Sequence, residues 1–424
     1  MTTSVSSMAP VRVRDRRRAT LERMHGGEVP TRRRRRRTSA RADGPVPAEK
    51  LGPPPPTYYG IAIVVAVFVL LGLVMVLSAS AVTQANLGYS PYRVFSRQAL
   101  WGAIGLVGLV VAARVPYRMW RKMTIPLVIV GVAGMLAPFA PGIGATINGT
   151  RSWVRIGGFS IQPAELLKVV VVLAAADLLV RRRGNLDDAR GTLLPLGGIA
   201  AVGAGLCLVQ GDLGSAIVLG GIVLAAGWIG GVPMTHLFGL SSAAIALTGL
   251  FVMSSPYRLD RFTAFLNVAE EKDHLAYQTY QGYLSMASGG LTGSGIGGSN
   301  GKLGYLPYAH SDFIFAVIAE ELGLIGAGAV ILGFGLLVWF GIQTALAAPD
   351  SFGMLIAGGV TAWFALQVVI NLGGVTGLMP VTGLTLPFFS SGGTSLFASM
   401  VAVGLLLSVA RRIGSRQTAE ETTP

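Results

Sequence analysis

The feature that most constrains this chain is a series of long apolar runs. They lie near residues 58–82, 97–114, 122–140, 163–180, 192–209, 213–231, 235–254, 312–345, 353–379 and 392–411. Roughly 20 apolar residues in a helix cross the hydrocarbon core of a bilayer, and inside lipid only helices or closed barrels satisfy their own backbone. The runs predict an all-α membrane protein with about ten transmembrane helices. The run at 312–345 is longer than one crossing needs, so it is expected to tilt or to project beyond the bilayer. Charged residues are only 13% of the 424, about half of what a soluble domain carries.

Charge orients these helices. Residues 1–50 hold thirteen Arg and one Lys against five acids, a net of +9. With no apolar periodicity, this segment reads as a disordered cytoplasmic tail drawn to anionic lipid, rather than as a nucleic-acid arm. Gly52 to Pro56 then form a stiff spacer. With the tail inside, three further basic groups fall on the inner side: Arg114 to Lys122, Arg181 to Arg190, and Arg411 to Arg416. That is the distribution the positive-inside rule requires, and an even number of spans places both termini in the cytoplasm. The expected organisation is a basic tail over 1–57, a polytopic domain over 58–412 and a short cytoplasmic tail over 413–424. The largest outer loop, 255–311, joins the seventh and eighth helices.

The cysteine and histidine inventory narrows the chemistry. The lone Cys207 sits in an apolar run and rules out an intrachain disulfide framework. His25, His236, His274 and His310 are scattered, with no His-Glu-x-x-His pattern, so a zinc site is not expected. The glycine run Ser288 to Gly298 follows no strand and precedes no Gly-Lys-Ser, so it is not a nucleotide P-loop. It remains able to bring backbone N–H groups close to phosphate oxygens.

Five outer strings carry the polar residues. Arg151 and Arg155 flank Trp153 just before Ile161-Gln-Pro-Ala-Glu165, and Lys168 follows three residues later. Glu165 and Lys168 share a helix face and can pair, either to fix helix packing or to serve function at membrane depth. Asp212 either caps the next helix or meets a substrate. Arg258 and Arg261 open the largest loop, where Gln278, Gln281 and Lys302 follow. Pro307-Tyr-Ala-His-Ser-Asp-Phe-Ile-Phe315 joins that loop to the eighth helix. Ser311 or Asp312 would sit at the helix N-terminus, as a cap or as a carboxylate able to accept a proton. Deeper in this helix, Glu320 and Glu321 are expected to find partners in the bundle. Pro380 to Ser395 is a rigid non-helical segment containing Ser391 and Thr394, tolerable at membrane depth only when buried or lining a cavity.

Taken together these strings resemble the SEDS family of cell-wall proteins, which includes FtsW, RodA and SpoVE. The motifs that carry the resemblance are Ile161-Gln-Pro-Ala-Glu165, Ser288-Gly-Gly290, Ala309-His-Ser-Asp-Phe-Ile-Phe-Ala316, Glu320-Glu-Leu-Gly-Leu324 and Pro380-Val-Thr-Gly383 with Ser391-Gly-Gly-Thr-Ser395. The resemblance runs from about Tyr58 to Arg412. The opening Gly72 to Ser80 and the phrase Arg97-Gln98 look more like the division branch, FtsW. Tyr308, Ser311, Gly211 and Ser152 stand where members commonly have Glu, Thr, Pro and Arg.

The resemblance implies a peptidoglycan glycosyltransferase that polymerises lipid II at the outer face of the bacterial cytoplasmic membrane, in septal division. Asp312 falls on the family's catalytic aspartate, as general base. Candidate substrate contacts are Arg151, Arg155, Glu165, Lys168, Arg258, Arg261, Gln278, Gln281, Lys302, His310, Ser391 and Thr394. No cofactor is required by the sequence; a divalent cation, Mg or Mn, is the one addition the chemistry invites, and no residues are assigned to bind it. The implied partners are lipid II, the nascent glycan strand, a class B penicillin-binding transpeptidase and other division proteins of the membrane, and no nucleic acid. Two alternatives remain at this stage. A lipid II flippase would use the same buried charges as a headgroup path, and a scaffold would act through its tails.

Overall fold

The structure is a computed structural model that describes residues 53–147, 149–268, 270–271, 276–299 and 306–421, with the side chains of 257, 261, 264 and 414–421 left undescribed. The expected tail over 1–57 lies outside the described residues except for 53–57. In chain order the helices are α1 (Pro56–Asn86), α2 (Arg93–Arg114), α3 (Tyr117–Leu136), α4 (Pro163–Arg181), α5 (Leu194–Val209) and α6 (Leu213–Gly230). They continue with α7 (Met234–Met253), α8 (Pro256–Leu266), α9 (Tyr277–Ser288), α10 (Ile314–Leu346), α11 (Ser351–Val375) and α12 (Gly393–Glu421). The last helix therefore runs on through most of the segment expected as a C-terminal tail.

Nine of the described helices are long and apolar enough to cross a membrane. The tenth expected span, α4, has the length but carries Glu165, Lys168, Asp177 and Arg181. It tolerates them because it is interior: fourteen of its nineteen residues are buried. Helices α4, α11 and α12 make the centre of the bundle, with α12 lying along α2 and α11 against α6 and α10. At the opposite extreme, Leu237 is the one buried residue of α7, most of whose other residues are exposed. Cys207 is buried among apolar neighbours, as expected of a small hydrophobe.

Residues 141–162, which join the third and fourth spans, fold in part into a small sheet. β1 (Gly144–Ile147), β2 (Thr150–Ile156) and β3 (Phe159–Ile161) pair antiparallel in the order β1-β2-β3. The reason is legible afterwards: along β2, Ser152 and Val154 turn inward while Arg151, Arg155 and Ile156 are exposed, close to the period-2 alternation of a half-buried strand. Gly157 and Gly158, both at positive φ, form the two-residue turn into β3, the geometry that suits a tight hairpin.

The overlong run at 312–345 is resolved by a break. Within α10, Gly323 adopts φ 66°, ψ −170° and divides the helix in two. The carbonyls and amides freed there do not face lipid. Ser294 N and Gly295 N donate to the carbonyls of Glu320 and Glu321, while Leu324 N and Ile325 N donate to those of Gly290 and Leu291. The glycine run after α9 is thus a strap that completes the broken helix, and those two amides are not available to a phosphate. A side chain at Gly323 would meet Gly293 N and Leu291 O in a backbone region that is essentially glycine-only. Gly323→Ala is expected to lose at least about 1–3 kcal/mol of stability from backbone strain alone. A thermal midpoint in detergent equal to that of the native protein would contradict this.

The segment between α11 and α12 dives into the bundle without helical structure. Leu384, Leu386, Phe388 and Phe389 are buried, and Phe389 packs on Phe68 of α1 with ring centroids 5.0 Å apart. Its carbonyls are met by side-chain amides: Asn371 Nδ2 donates to Leu384 O at 2.7 Å, Gln367 Nε2 to Thr385 O at 2.8 Å and Gln98 Nε2 to Ser390 O at 2.9 Å. This is how non-helical backbone survives at membrane depth.

Candidate functional site

Asp312 lies in the turn just ahead of α10, which opens at Ile314 with Phe313 at the cap position. The helix starts slightly later than the sequence implied, so neither Ser311 nor Asp312 is the capping residue. What fixes the turn is the 380–392 segment below it. Three successive carbonyls are each engaged: His310 O accepts from Ser391 N at 2.9 Å, Ser311 O from Ser390 Oγ at 2.6 Å, and Asp312 O from Asn371 Nδ2 at 3.0 Å. Tyr308 precedes them at a positive φ of 55°. The Asp312 side chain is half-buried and lies beside Gly383, where a Cβ would stand 3.6 Å from Oδ2. The fold therefore holds this carboxylate at the rim of the bundle through its backbone.

A cavity of about 360 Å³ opens next to this turn. Its wall carries Gln84 at the end of α1, Arg93, Arg97 and Gln98 on α2, and His310 and Ser391. Asp312 is not on this wall; its neighbour two residues earlier, His310, is. Burial holds the His310 imidazole below its ordinary pKa, so at neutral pH the ring is uncharged and the positive charge of the cavity comes from the arginines. A second cavity of about 560 Å³ shares Arg93 and Arg97 and adds Arg155, Gly157, Gly158 and Ser160. Among the described residues, no carboxylate comes within ion-pair distance of Arg93, Arg97 or Arg155. Arg93 rests over the Tyr89 ring at 4.1 Å.

Other candidates are occupied elsewhere. Arg151 donates to the carbonyls of Pro138 and Phe139 and lies over the Phe139 ring, tying the sheet to the end of α3. Arg258 folds back on the Phe251 carbonyl and ring at the end of α7. Gln278 donates to Pro307 O at 3.0 Å, and Thr394 accepts from Gln162 N at 3.2 Å. Gln281 is half-buried on α9. The Arg261 side chain and Lys302 lie outside the described residues. Asp212 caps α6 by accepting from Ser215 N at 2.9 Å and also accepts from Gln162 Nε2; burial raises its carboxyl pKa.

The charged residues at depth are paired. Lys168 Nζ donates to Glu165 Oε1 at 2.7 Å and to Gln367 Oε1 at 3.0 Å, so the same Gln367 that supports Thr385 joins the ion pair to the buried segment. Glu321 accepts from Ser78 Oγ of α1, and Glu320 from Ser299 Oγ. Among the described residues no three His, Cys, Asp or Glu side chains gather to hold a metal.

Of the residues expected from the sequence, the structure brings Asp312, His310 and Ser391 together, with Arg155 on the adjoining cavity; Arg93, Arg97, Gln84 and Gln98 were not among those expected. A signal for the two arginines was present. They follow the first span, on the side the charge pattern assigns to the outside, where the positive-inside rule leaves few cations.

Comparison with known proteins agrees with this architecture. The model of the FtsW/RodA/SpoVE family, described as cell cycle proteins, matches residues 59–414. Stage V sporulation protein E of Bacillus subtilis is 38% identical over 353 residues, covering 83% of this chain and 96% of that protein. The probable peptidoglycan glycosyltransferase FtsW of Mycobacterium tuberculosis is 38% identical over 361 residues, 85% of this chain and 69% of that one. Among solved structures, a chain of a peptidoglycan synthase complex that coordinates polymerization and crosslinking has a TM-score of 0.67 at 30% identity, covering 84% of this chain and 98% of that one. The rod shape determining protein RodA of Thermus thermophilus has a TM-score of 0.60 at 29% identity, covering 83% and 96%.

Proposed function

This chain belongs to the FtsW/RodA/SpoVE family of cell cycle proteins, and on that premise we propose that it is a bacterial peptidoglycan glycosyltransferase that polymerises lipid II. The observation that carries the reading is the fastened turn at 310–312, which holds one carboxylate beside a cavity whose arginines have no carboxylate partner among the described residues. The two halves suit the two demands of the reaction. Asp312 takes the proton of the 4-hydroxyl of the acceptor's GlcNAc as that oxygen attacks the anomeric carbon of the growing chain with inversion. The bond from that carbon to the diphosphate breaks, and undecaprenyl diphosphate leaves. Arg93 and Arg97 offset the negative charge that develops on the leaving group, as fixed cations do best in a partly dry site. No step is assigned to a metal. A class B penicillin-binding transpeptidase is the expected partner, at the septum.

The transport alternative needs the buried charges to line a path. Lys168 is instead bonded to Glu165 and Gln367, and Glu321 to Ser78, which supports a static interior. The direct test is purified protein in liposomes with lipid II, with and without its transpeptidase. Glycan polymer supports the enzyme; movement of the headgroup with no polymer overturns it.

The reading also requires the 306–312 turn to face outward and both termini to face the cytoplasm. Cys207 is buried, so it gives little background to thiol labelling. A cysteine placed at the exposed Tyr308 is expected to react with a membrane-impermeant maleimide added to intact spheroplasts. Labelling only after the membrane is opened would place the turn on the wrong side.

A further inference from the structure

The second cavity is larger than the first, shares its two arginines and has a different floor. Arg155 projects from β2, and the Gly157-Gly158 turn and Ser160 of β3 complete the wall. β3 is an edge strand of its sheet, paired with β2 on one side, with α12 and the Trp101 ring near its ends; Ser160, opposite Arg155, is its residue on the cavity wall. An outer strand offers backbone N–H and C=O groups to a peptide laid beside it. Gly157 and Gly158 are exposed, with no atom within 4 Å of the place a Cβ would take, so a ligand's main chain can come close. Arg155, Arg93 and Arg97 are exposed guanidinium groups without a carboxylate partner among the described residues. A guanidinium fork matches a carboxylate in geometry as well as charge. The function proposed above assigns the diphosphate to the cavity nearer the Asp312 turn, whereas this one couples cations to strand backbone.

We propose that this second cavity is a subsite for the acid-bearing stem peptide carried by the lipid-linked sugar, with Arg155 engaging a peptide carboxylate and β3 engaging the peptide main chain. The inference rests on the function proposed above and deepens it. Selectivity in the substrate then comes from the peptide as well as from the sugar and the diphosphate. An outer-leaflet phospholipid phosphate offers similar charge but no main chain for the strand, so the peptide is the ligand argued for here.

The test uses the full chain in vesicles and two lipid-linked disaccharides, one with the natural acidic stem peptide and one with its carboxylates converted to amides. The readouts are Kd for each, measured without turnover, and KM for polymerisation. The native protein is expected to prefer the acidic substrate by about tenfold, the worth of one charge-assisted contact at a wet site. Arg155→Gln should bring that preference close to one, and Arg155→Lys should restore part of it. Equal affinity of the native protein for the two substrates overturns the proposal, as does an undiminished preference in Arg155→Gln. An effect of Arg155→Gln that disappears in vesicles lacking anionic phospholipid also overturns it, because the site then holds a lipid headgroup. If the native protein makes no polymer but still shows the preference in Kd, the glycosyltransferase reading fails and the peptide subsite stands.

Discussion

Replacing Asp312 with Asn is expected to reduce glycan polymerisation by about 10²–10⁴-fold, the usual contribution of one positioned general base. The substitution keeps size and shape, removes the negative charge and the capacity to take a proton, and exchanges one acceptor oxygen for a donor. The surrounding turn should survive it, because the contacts from Ser391, Ser390 and Asn371 all go to the backbone carbonyls of 310–312. The variant should therefore insert, purify and melt like the native chain while binding lipid II with little change. The measurement is the rate of polymer formation from purified protein with its transpeptidase, alongside a melting curve. A rate within about threefold of native, well short of a general base's usual contribution, would remove Asp312 from the chemistry. Loss of the fold together with activity would assign it a structural role instead.

The second large effect concerns stability. Lys168→Met is expected to destabilise the bundle by about 3–5 kcal/mol, because it leaves a buried carboxylate without its cation. Glu165 and Lys168 are both essentially inaccessible, at 3% and 0% exposure, so water cannot replace the lost partner. Glu165 Oε2 already has no hydrogen-bond partner among the described residues. The double variant Glu165→Gln with Lys168→Met removes both charges and should recover a good part of the loss. Melting in detergent decides the matter: if the single variant melts within about 2 °C of native, the pair carries no such burden. Because Lys168 also holds Gln367, and Gln367 holds Thr385, the single variant should loosen the 380–392 segment as well.

Much of the architecture was legible because lipid is an exacting solvent. Runs of about twenty apolar residues have few alternatives there, and even α4 declared itself by length despite its four ionisable residues. The three-stranded sheet was less legible: its inward residues, Ser152 and Val154, are too few and too mild to stand out beside Arg151 and Arg155. The break at Gly323 was hidden because its cause lies some thirty residues earlier, in the strap at 290–295. A single glycine in a helix gives no notice of partners so far away. The candidate site was half visible. Asp312 and His310 announced themselves by their setting at the end of an outer loop. Arg151 and Arg258 seemed equivalent to Arg155 in the sequence, yet their partners are backbone carbonyls, which no pattern of side chains reveals. Arg93 and Arg97 went unremarked as ligand residues because they open a helix.

The broken helix has a consequence for how the protein is made. Residues 290–295 leave the ribosome before α10 does, so when the second half of that helix enters the bilayer, the groups that will pair with its exposed backbone already exist. The order of synthesis is thus the order in which the joint must be assembled. A rearranged gene that placed α10 ahead of α9 would deliver unpaired peptide groups to lipid, each at a cost of several kcal/mol, with nothing yet translated to receive them.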